Sequence, residues 1–574
     1  MSQGDRHFIL FRSQARSIRR LGAASAFAGL AAVSVALEHG FREPVAHPLM
    51  TGVLQCLLPW VALVLAGDVR WKVADRSRWR GPFGAIGEVG VALGLVFALA
   101  GGRVLPELVA VASVIAFAIR INSVLARTMR NPTILFPASF LVLIGVSAAL
   151  LKLPAATPID KPISLVDAVF TATSAVCVTG LAVRDTATEF TLFGQAVVLG
   201  SIQLGGLGVM IFGSTLALLF GARLSFKEHV TLSMALDEYP AHRIARFAWF
   251  IVLTTLVLEA IGAVILYLSW PGDELAHGTR LWYAVFHSIS AFCNAGFDIT
   301  GQSLVGIRSS VAAYLGIMPM IILGGIGFVV LEDLYRLGRD RLGNRAGRGR
   351  DRARLGTHSR IVLATTACLL VGGFVTIFFA QSSAAGGASL QTALDAAFMS
   401  TTARTAGFTT VAMEDLSSGS RFTLMVLMSI GGSPGSTAGG MKTVVFAILV
   451  LSILSTVRGR SEVEVFGRAL SDALVKKAAT VAAGLFGVIT LATLALDLTE
   501  RIAFEPLFFE VISAASTTGL SLGATGELSD PGRIIITITM FLGRVGALSL
   551  LAALIGATGV EGRYRLPRDT VSLG

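Results

Sequence analysis

"AVFTATSAVCVTGLAV", Ala168 to Val183, starts as an apolar segment, passes into small residues and reaches a glycine followed by leucine. The apolar part, 164–177, is too short to cross a bilayer as a helix, which needs about 20 residues. The pattern returns as "AVFHSISAFCNAGFDI" at 284–299, "AAFMSTTARTAGFTTV" at 396–411 and "FEVISAASTTGLSLG" at 509–523. The glycines Gly180, Gly296, Gly407 and Gly519 are spaced by 116, 111 and 112 residues. One Thr-Gly or Ala-Gly pair would be ordinary close packing between membrane helices. Four at matched positions are a duplicated unit, longer than solenoid repeats.

Working outward, each copy lies between two long apolar runs. The triplets are 133–152, 164–177 and 191–220, then 245–270, 281–293 and 312–336. They continue as 359–380, 389–403 and 421–456, and end as 473–497, 504–516 and 532–556. The sequence therefore predicts an all-α integral membrane protein of four linked units: a long helix, a half-helix with its loop, and a second long helix. Their bounds are 131–224, 225–340, 341–460 and 461–574, the last including a C-terminal tail. Before them, residues 1–130 carry four further apolar runs at 21–38, 48–67, 83–100 and 103–119. The first follows a basic stretch without a convincing cleavage site, so it reads as an uncleaved helix.

Composition agrees. The 574 residues are 54% hydrophobic and 14% charged, and mean hydropathy is +0.74. Soluble domains carry about 25% charged residues. The net charge of +11 does not point to nucleic acid, because the basic residues gather in loops between apolar runs. These are Arg12–Arg20, Arg70–Arg80, Arg120–Arg130, Lys227–Arg246, Arg336–Arg354 and Arg458–Arg468. Positive loops stay inside, which puts the N-terminus in the cytoplasm of a multi-pass protein of the cell inner membrane. Cys56, Cys177, Cys293 and Cys368 have no C-x-x-C spacing, so neither a disulfide framework nor a metal site is expected.

Irregular backbone at membrane depth survives only where it lines a water-filled cavity or is buried in protein. Four such loops around one axis can replace a cation's water shell with carbonyl oxygens. Glycine gives the backbone angles that this requires. The half-helices point their partially negative C-termini at the same place. The expected filter residues are Val178, Thr179 and Gly180; Asn294, Ala295 and Gly296; Thr405, Ala406 and Gly407; and Thr517, Thr518 and Gly519. No paired carboxylates line these loops, which disfavours a calcium filter.

A second stretch breaks an apolar run: "GGSPGSTAGGMKT", Gly431 to Thr443. A phosphate-binding loop would need G-x-x-x-x-G-K-[ST]. Gly435 and Gly440 are spaced correctly, but Met441 occupies the lysine position and Lys442 comes one residue late. The glycines and Pro434 instead break the second long helix of unit three beneath the filter. No other unit is expected to carry such a break, which makes Gly431, Gly432, Ser433, Pro434, Gly435, Ser436, Thr437, Ala438, Gly439, Gly440 and Lys442 gate candidates.

The loops "VCVTGL", "CNAGF", "RTAGF" and "STTGL", together with "GGSPGSTAGGMKT", resemble the Trk/Ktr/HKT superfamily of potassium and sodium translocating subunits over about 131–560. SPGSTAGG looks closer to the Ktr type. The resemblance implies four M1–P-loop–M2 units, a homodimer with one pore per protomer, and an intramembrane gating loop. It also implies a cytoplasmic partner with RCK domains; any nucleotide (ATP, ADP or NAD) would bind that partner, and this chain would hold only potassium ions. Glycine at all four filter positions resembles potassium-conducting members. Gly180 stands where some sodium-preferring plant relatives carry serine. The rival readings are a sodium or poorly selective pathway on the same fold and, more remotely, a membrane enzyme with a phosphate-binding loop. The four N-terminal spans depart from the family pattern.

Charges within spans usually mark function. Arg544, in the last span, looks like the family's arginine beside the gating loop, and acts either as an electrostatic barrier or as a donor to free loop carbonyls. Lys442 does the same or reaches the interface. Arg404 is expected to face the carbonyls ending the third half-helix. Asp167 and Asp395 are expected to be structural, near half-helix N-termini. Glu259 either pairs with a base or faces the interior. His229, His242 and His358 read as solvated loop residues. The Arg336–Arg354 run reads as a solvated loop that also suits a regulatory subunit or anionic lipid.

Overall fold

The structure, a computed structural model, describes residues 132–546 apart from 209–243, 272–274, 343–354, 385 and 461. The four N-terminal spans, His229, His242 and the C-terminal tail lie outside the described residues.

The described chain is helical apart from one small hairpin. In order come α1 (Pro132–Leu151), α2 (Leu165–Val176), α3 (Leu192–Gly206), α4 (Ile244–Ser269), α5 (His277–Cys293), α6 (Met318–Gly325) and α7 (Phe328–Leu342). They are followed by α8 (Thr357–Ala384), α9 (Leu390–Thr402), α10 (Ser418–Ser429) and α11 (Thr443–Val457). Strands β1 (Val463–Val465) and β2 (Arg468–Leu470) pair antiparallel. Val465 packs on Ile361 and Ala447. Helices α12 (Asp472–Thr499), α13 (Phe504–Ser516) and α14 (Asp530–Val545) complete the order.

Helix starts follow local chemistry. Ser164 and Ser389 take the N–H of Asp167 and Thr392 on their hydroxyls, each at 3.0 Å, capping α2 and α9. Thr191, Ser417 and Ser529 cap α3, α10 and α14 in the same way. His358, expected in a loop, stands half-buried in the first turn of α8.

The short helices α2, α5, α9 and α13 form the middle of the molecule. Each packs between the long helix before it and the helix after it: α2 between α1 and α3, α5 between α4 and α6, α9 between α8 and α10, and α13 between α12 and α14. Contacts also run onward. Helix α3 touches α5, α6 touches α9, α10 touches α13, and α14 returns to α2. The interior is rich in buried Ser and Thr, while Leu268 on α4 and Leu498 on α12 are 75% and 86% exposed. A polar middle inside an apolar exterior suits a surrounding of lipid. Trp249–Ser269, Thr357–Ala384 and Asp472–Thr499 are long and apolar enough to cross a membrane.

Two expectations need correction. The break at 430–442 is real, since α10 ends at Ser429 and α11 begins at Thr443, but it is not unique. Ala312–Gly325 and Phe328–Asp340 are bent by 105° at Ile326–Gly327, where one continuous span over 312–336 was expected. Helix α3 also ends early, at Gly206, with Gly208 at φ +72°, and α14 ends at Val545 with Gly546 at φ +83°. A glycine with positive φ stands beside the bend and beside each of these helix ends, and apolar neighbours such as Ile326 disguise it in the sequence.

Candidate functional site

Each short helix ends in a tight turn. Val178, Asn294, Thr405 and Thr517 have φ of 56°, 58°, 73° and 51°, and Gly180, Gly296, Gly407 and Gly519 have φ of 91°, 69°, 79° and 91°. Non-glycine residues adopt this region at a cost. A hydrogen bond back to the helix holds them there. Thr179, Ala295 and Thr518 each donate N–H to the carbonyl five residues earlier, on Ser174, Ser290 and Ser513, at 2.8 Å. The third turn is one residue tighter: Ala406 N–H reaches Thr402 O, four residues earlier, at 2.9 Å.

The same Ser and Thr residues hold the glycines. Ser174 and Ser513 Oγ accept the N–H of Gly180 and Gly519 at 3.1 and 3.0 Å. Ser290 Oγ and Thr402 Oγ1 instead donate to the carbonyls of Phe297 and Phe408, at 2.8 and 2.7 Å. The Gly-Leu turns thus use the hydroxyl as an acceptor and the Gly-Phe turns use it as a donor. Sequence reading overlooked these residues, although a Ser or Thr recurs five or six positions before every one of the four glycines.

The four glycines stand side by side in a closed ring. A Cβ on Gly180 would strike Ala295 O and lie 3.1 Å from Gly296 Cα. One on Gly296 would lie 2.9 Å from both Ala406 O and Gly407 Cα, and one on Gly407 would lie 2.6 Å from Thr518 O. One on Gly519 would strike Thr179 O and lie 3.0 Å from Gly180 Cα. Each glycine therefore abuts the carbonyl preceding the next glycine, and the last abuts the first. Of the expected filter residues, Thr179–Gly180, Ala295–Gly296, Ala406–Gly407 and Thr518–Gly519 meet in this ring, and Val178, Asn294, Thr405 and Thr517 lead into it. Thr179, Thr405, Thr517 and Thr518 also bury hydroxyl oxygens that have no protein partner among the described residues.

Two carboxylates fasten this ring from the N-terminal ends of the short helices. Asp167, in the first turn of α2, receives Arg184 Nε at 3.0 Å and Arg533 Nη1 at 2.7 Å. Asp395, a turn deeper in α9 than a dipole reading requires, receives Arg308 Nη2 at 2.8 Å, Tyr314 Oη at 3.0 Å and Thr410 Oγ1 at 2.9 Å. Arg533 and Arg308 come from 366 and 87 residues away, a pairing that sequence spacing does not reveal.

Beneath the short-helix C-termini, glycines again permit close approach. A Cβ on Gly205, Gly324 or Gly543 would strike the carbonyl of Val176, Phe292 or Ala515. These residues recur in the sequence as Leu204-Gly205, Leu323-Gly324 and Leu542-Gly543. In the remaining copy, Gly431 packs on Gly439 of its own loop. That loop closes on itself through an Ile430–Met441 bridge, Thr443 N–H to Gly432 O at 3.0 Å, and Lys442 Nζ to Ala438 O at 2.6 Å. Gly440 lies under α13, where a Cβ would stand 3.3 Å from Ser516 O. Thr437 Oγ1 donates at 3.1 Å to Phe292 O or Gly324 O.

Arg544 Nη2 donates to Gly205 O at 2.8 Å, and its Nη1 donates to Thr437 O of the loop. Lys442 and Arg544 both bond backbone carbonyls, as one of the two sequence readings held. Glu259 has no basic partner in a salt bridge among the described residues; Gln203 Nε2 donates to it at 3.1 Å. Arg404 departs from expectation. It is 6% exposed, and its Nε and Nη2 have no partner among the described residues, while the backbone N–H of Ala406 takes the carbonyl of Thr402 that ends α9.

Comparison with known proteins accords with this arrangement. Residues 108–556 match the cation transport protein family TrkH. The chain belongs to that family. It is 32% identical over 456 residues to the potassium/sodium uptake protein NtpJ of Enterococcus hirae, covering 78% of this chain and 98% of the relative. It is 36% identical over 444 residues to the Ktr system potassium uptake protein B of Vibrio alginolyticus, covering 76% and 93%. The crystal structure of the potassium transporter TrkH from Vibrio parahaemolyticus shares the fold, with a TM-score of 0.57 at 19% identity, covering 88% of this chain and 97% of that one. The family consists of cation transporters rather than enzymes, so the phosphate-loop reading of 431–443 falls. The chain is a multi-pass membrane transporter of the Trk/Ktr superfamily.

Proposed function

We propose that this protein takes up potassium through a filter made by the backbone carbonyls of Val178–Gly180, Asn294–Gly296, Thr405–Gly407 and Thr517–Gly519. The observation that carries this reading is the closed ring of four glycine turns, each pressed against the carbonyl of the next. A ring with no side chain between neighbours leaves oxygen atoms as the groups able to replace an ion's water shell. The chain is then four M1–P-loop–M2 units over 131–224, 225–340, 341–460 and 461–574, preceded by the extra spans of 1–130.

In this reading the loop 431–442 and Arg544 form a gate below the filter. A guanidinium between the loop and α3 places positive charge near the cation's exit path, and its two carbonyl partners hold it there. The N-terminus and the basic loops face the cytoplasm of the cell inner membrane, and the protein is a homodimer. A separate RCK-type subunit opens the gate. Relatives are named as components of a Ktr system, which favours a partner subunit, and that partner supplies any nucleotide site.

Potassium and sodium fluxes in proteoliposomes test the selectivity. Potassium flux well above sodium flux is expected. Equal fluxes would favour the second reading, a pathway for both ions, for which the potassium/sodium naming of one relative speaks.

A further inference from the structure

The second unit contributes a part to the gate that its sequence does not announce. Its broken inner helix turns by 105° between α6 and α7, and the glycine-rich loop sits in that break. Ser433 N–H donates to Gly325 O at 2.9 Å, and Thr437 N–H to Gly324 O at 3.4 Å. In return, Phe328 N–H, at the first residue of α7, donates to Gly435 O at 3.0 Å. Gly327 has φ +91°, and a Cβ there would lie 2.7 Å from Pro434 O. The free backbone groups left by one broken helix are thus satisfied by the other, as buried backbone requires.

Beyond the break, α7 is tied to the next long helix. Asp333 Oδ2 accepts Ser359 Oγ at 2.6 Å and Gly356 N–H at 3.3 Å, so the start of α8 is tied to the helix that begins at the seat of the loop. We propose that the Gly324–Phe328 break is the seat that holds the loop shut, with Gly327 as its positioning residue. In addition, α7 is the arm through which a displacement near Asp333 unseats the loop. This rests on the gate reading above.

Flux and thiol access together test it. Gly327→Ala forces a side chain against Pro434 O, so basal potassium flux in proteoliposomes should rise on the order of tenfold. Ser433→Cys, at a site 0% exposed in the closed loop, should become reactive to a membrane-impermeant thiol reagent in the Gly327→Ala background only. Gly145→Ala, at a glycine with nothing near its Cβ, should change neither. A folded Gly327→Ala protein with unchanged flux and a protected thiol overturns the seat. Deleting Ser433–Gly439 separates the two readings. If the deletion raises flux and Gly327→Ala does not, only the seat fails; if the deletion leaves flux unchanged, the gate fails with it.

Should Gly327→Ala not fold, hydrogen exchange of Arg544→Ala decides. Amides of Ser433 and of Leu331, which bonds Gly327 O at 3.1 Å, should lose protection together relative to wild type. Loss at Ser433 with Leu331 unchanged overturns the arm.

Discussion

Arg544 Nη2 lies 2.8 Å from the carbonyl oxygen of Gly205, a contact spanning 339 residues of sequence between α14 and the end of α3. The other arm of the same guanidinium holds Thr437 of the glycine-rich loop. One side chain therefore fixes the loop relative to the first inner helix. Each bond has a charged donor, of the kind that contributes about 1.5–3 kcal/mol.

Replacing Arg544 with Ala removes both bonds and the local positive charge. Basal potassium flux should rise by at least about tenfold, the factor corresponding to roughly 1.4 kcal/mol. Arg544→Lys should rise less, since it keeps the charge but not the fork. Deletion of Ser433–Gly439 should raise flux as well. Unchanged or lower flux in folded protein would assign Arg544 and the loop a structural role only. The readout is uptake into potassium-free liposomes.

Gly296→Ala and Gly407→Ala should lose selectivity rather than only throughput. Each places a methyl within 2.9 Å of the next turn's backbone and moves the carbonyls proposed to contact the ion. The ratio of potassium to sodium flux should fall towards one. A mutant with wild-type selectivity would remove that glycine from the filter. Gly180→Ser is expected to shift preference towards sodium.

The hydroxyl supports of the turns should differ in cost. Ser513→Ala leaves the Gly519 N–H without its acceptor, at about 1–3 kcal/mol. Ser290→Ala removes a donor from Phe297 O, and an under-satisfied carbonyl is more readily tolerated than an orphaned N–H. Thermal unfolding in detergent should place Ser513→Ala below Ser290→Ala, and the reverse order would contradict the assigned donor roles.

Asp167→Asn should lower the melting temperature more than Glu414→Gln. Asp167 holds Arg184 and Arg533 while being 5% exposed, whereas the Glu414 side chain enters no salt bridge among the described residues. The arginines, with side chains 19% and 22% exposed, recover a little water, so a cost of roughly 1–3 kcal/mol is expected. Equal melting temperatures would mean that the clasp contributes nothing.

The ring of glycine turns was legible because it repeats: small residues, then a glycine, then an apolar residue, at four matched places. The loop 431–442 was legible through its composition. The bend at Ile326–Gly327 was not, because the glycines of this stretch stand amid Leu, Ile and Phe and read as continuous helix. Arg308 with Asp395 and Arg533 with Asp167 were hidden because the partners meet only once the short helices surround the axis. Arg404 misled because its spacing from Gly407 matches Cys177 and Cys293 in their units, while the shorter third turn changes which backbone group reaches the carbonyl.

The contact of Gly519 with Thr179 O joins the last copy to the first, so the ring has neither beginning nor end although the chain has both. A fragment ending after the third unit would present two raw faces, Gly407 on one side and the carbonyl of Thr179 on the other, each shaped for a neighbour that never arrives. Assembly of the ring is in that sense indivisible, and a ribosome must pass Gly519, beyond helix α13, before the first turn that it made has its final neighbour.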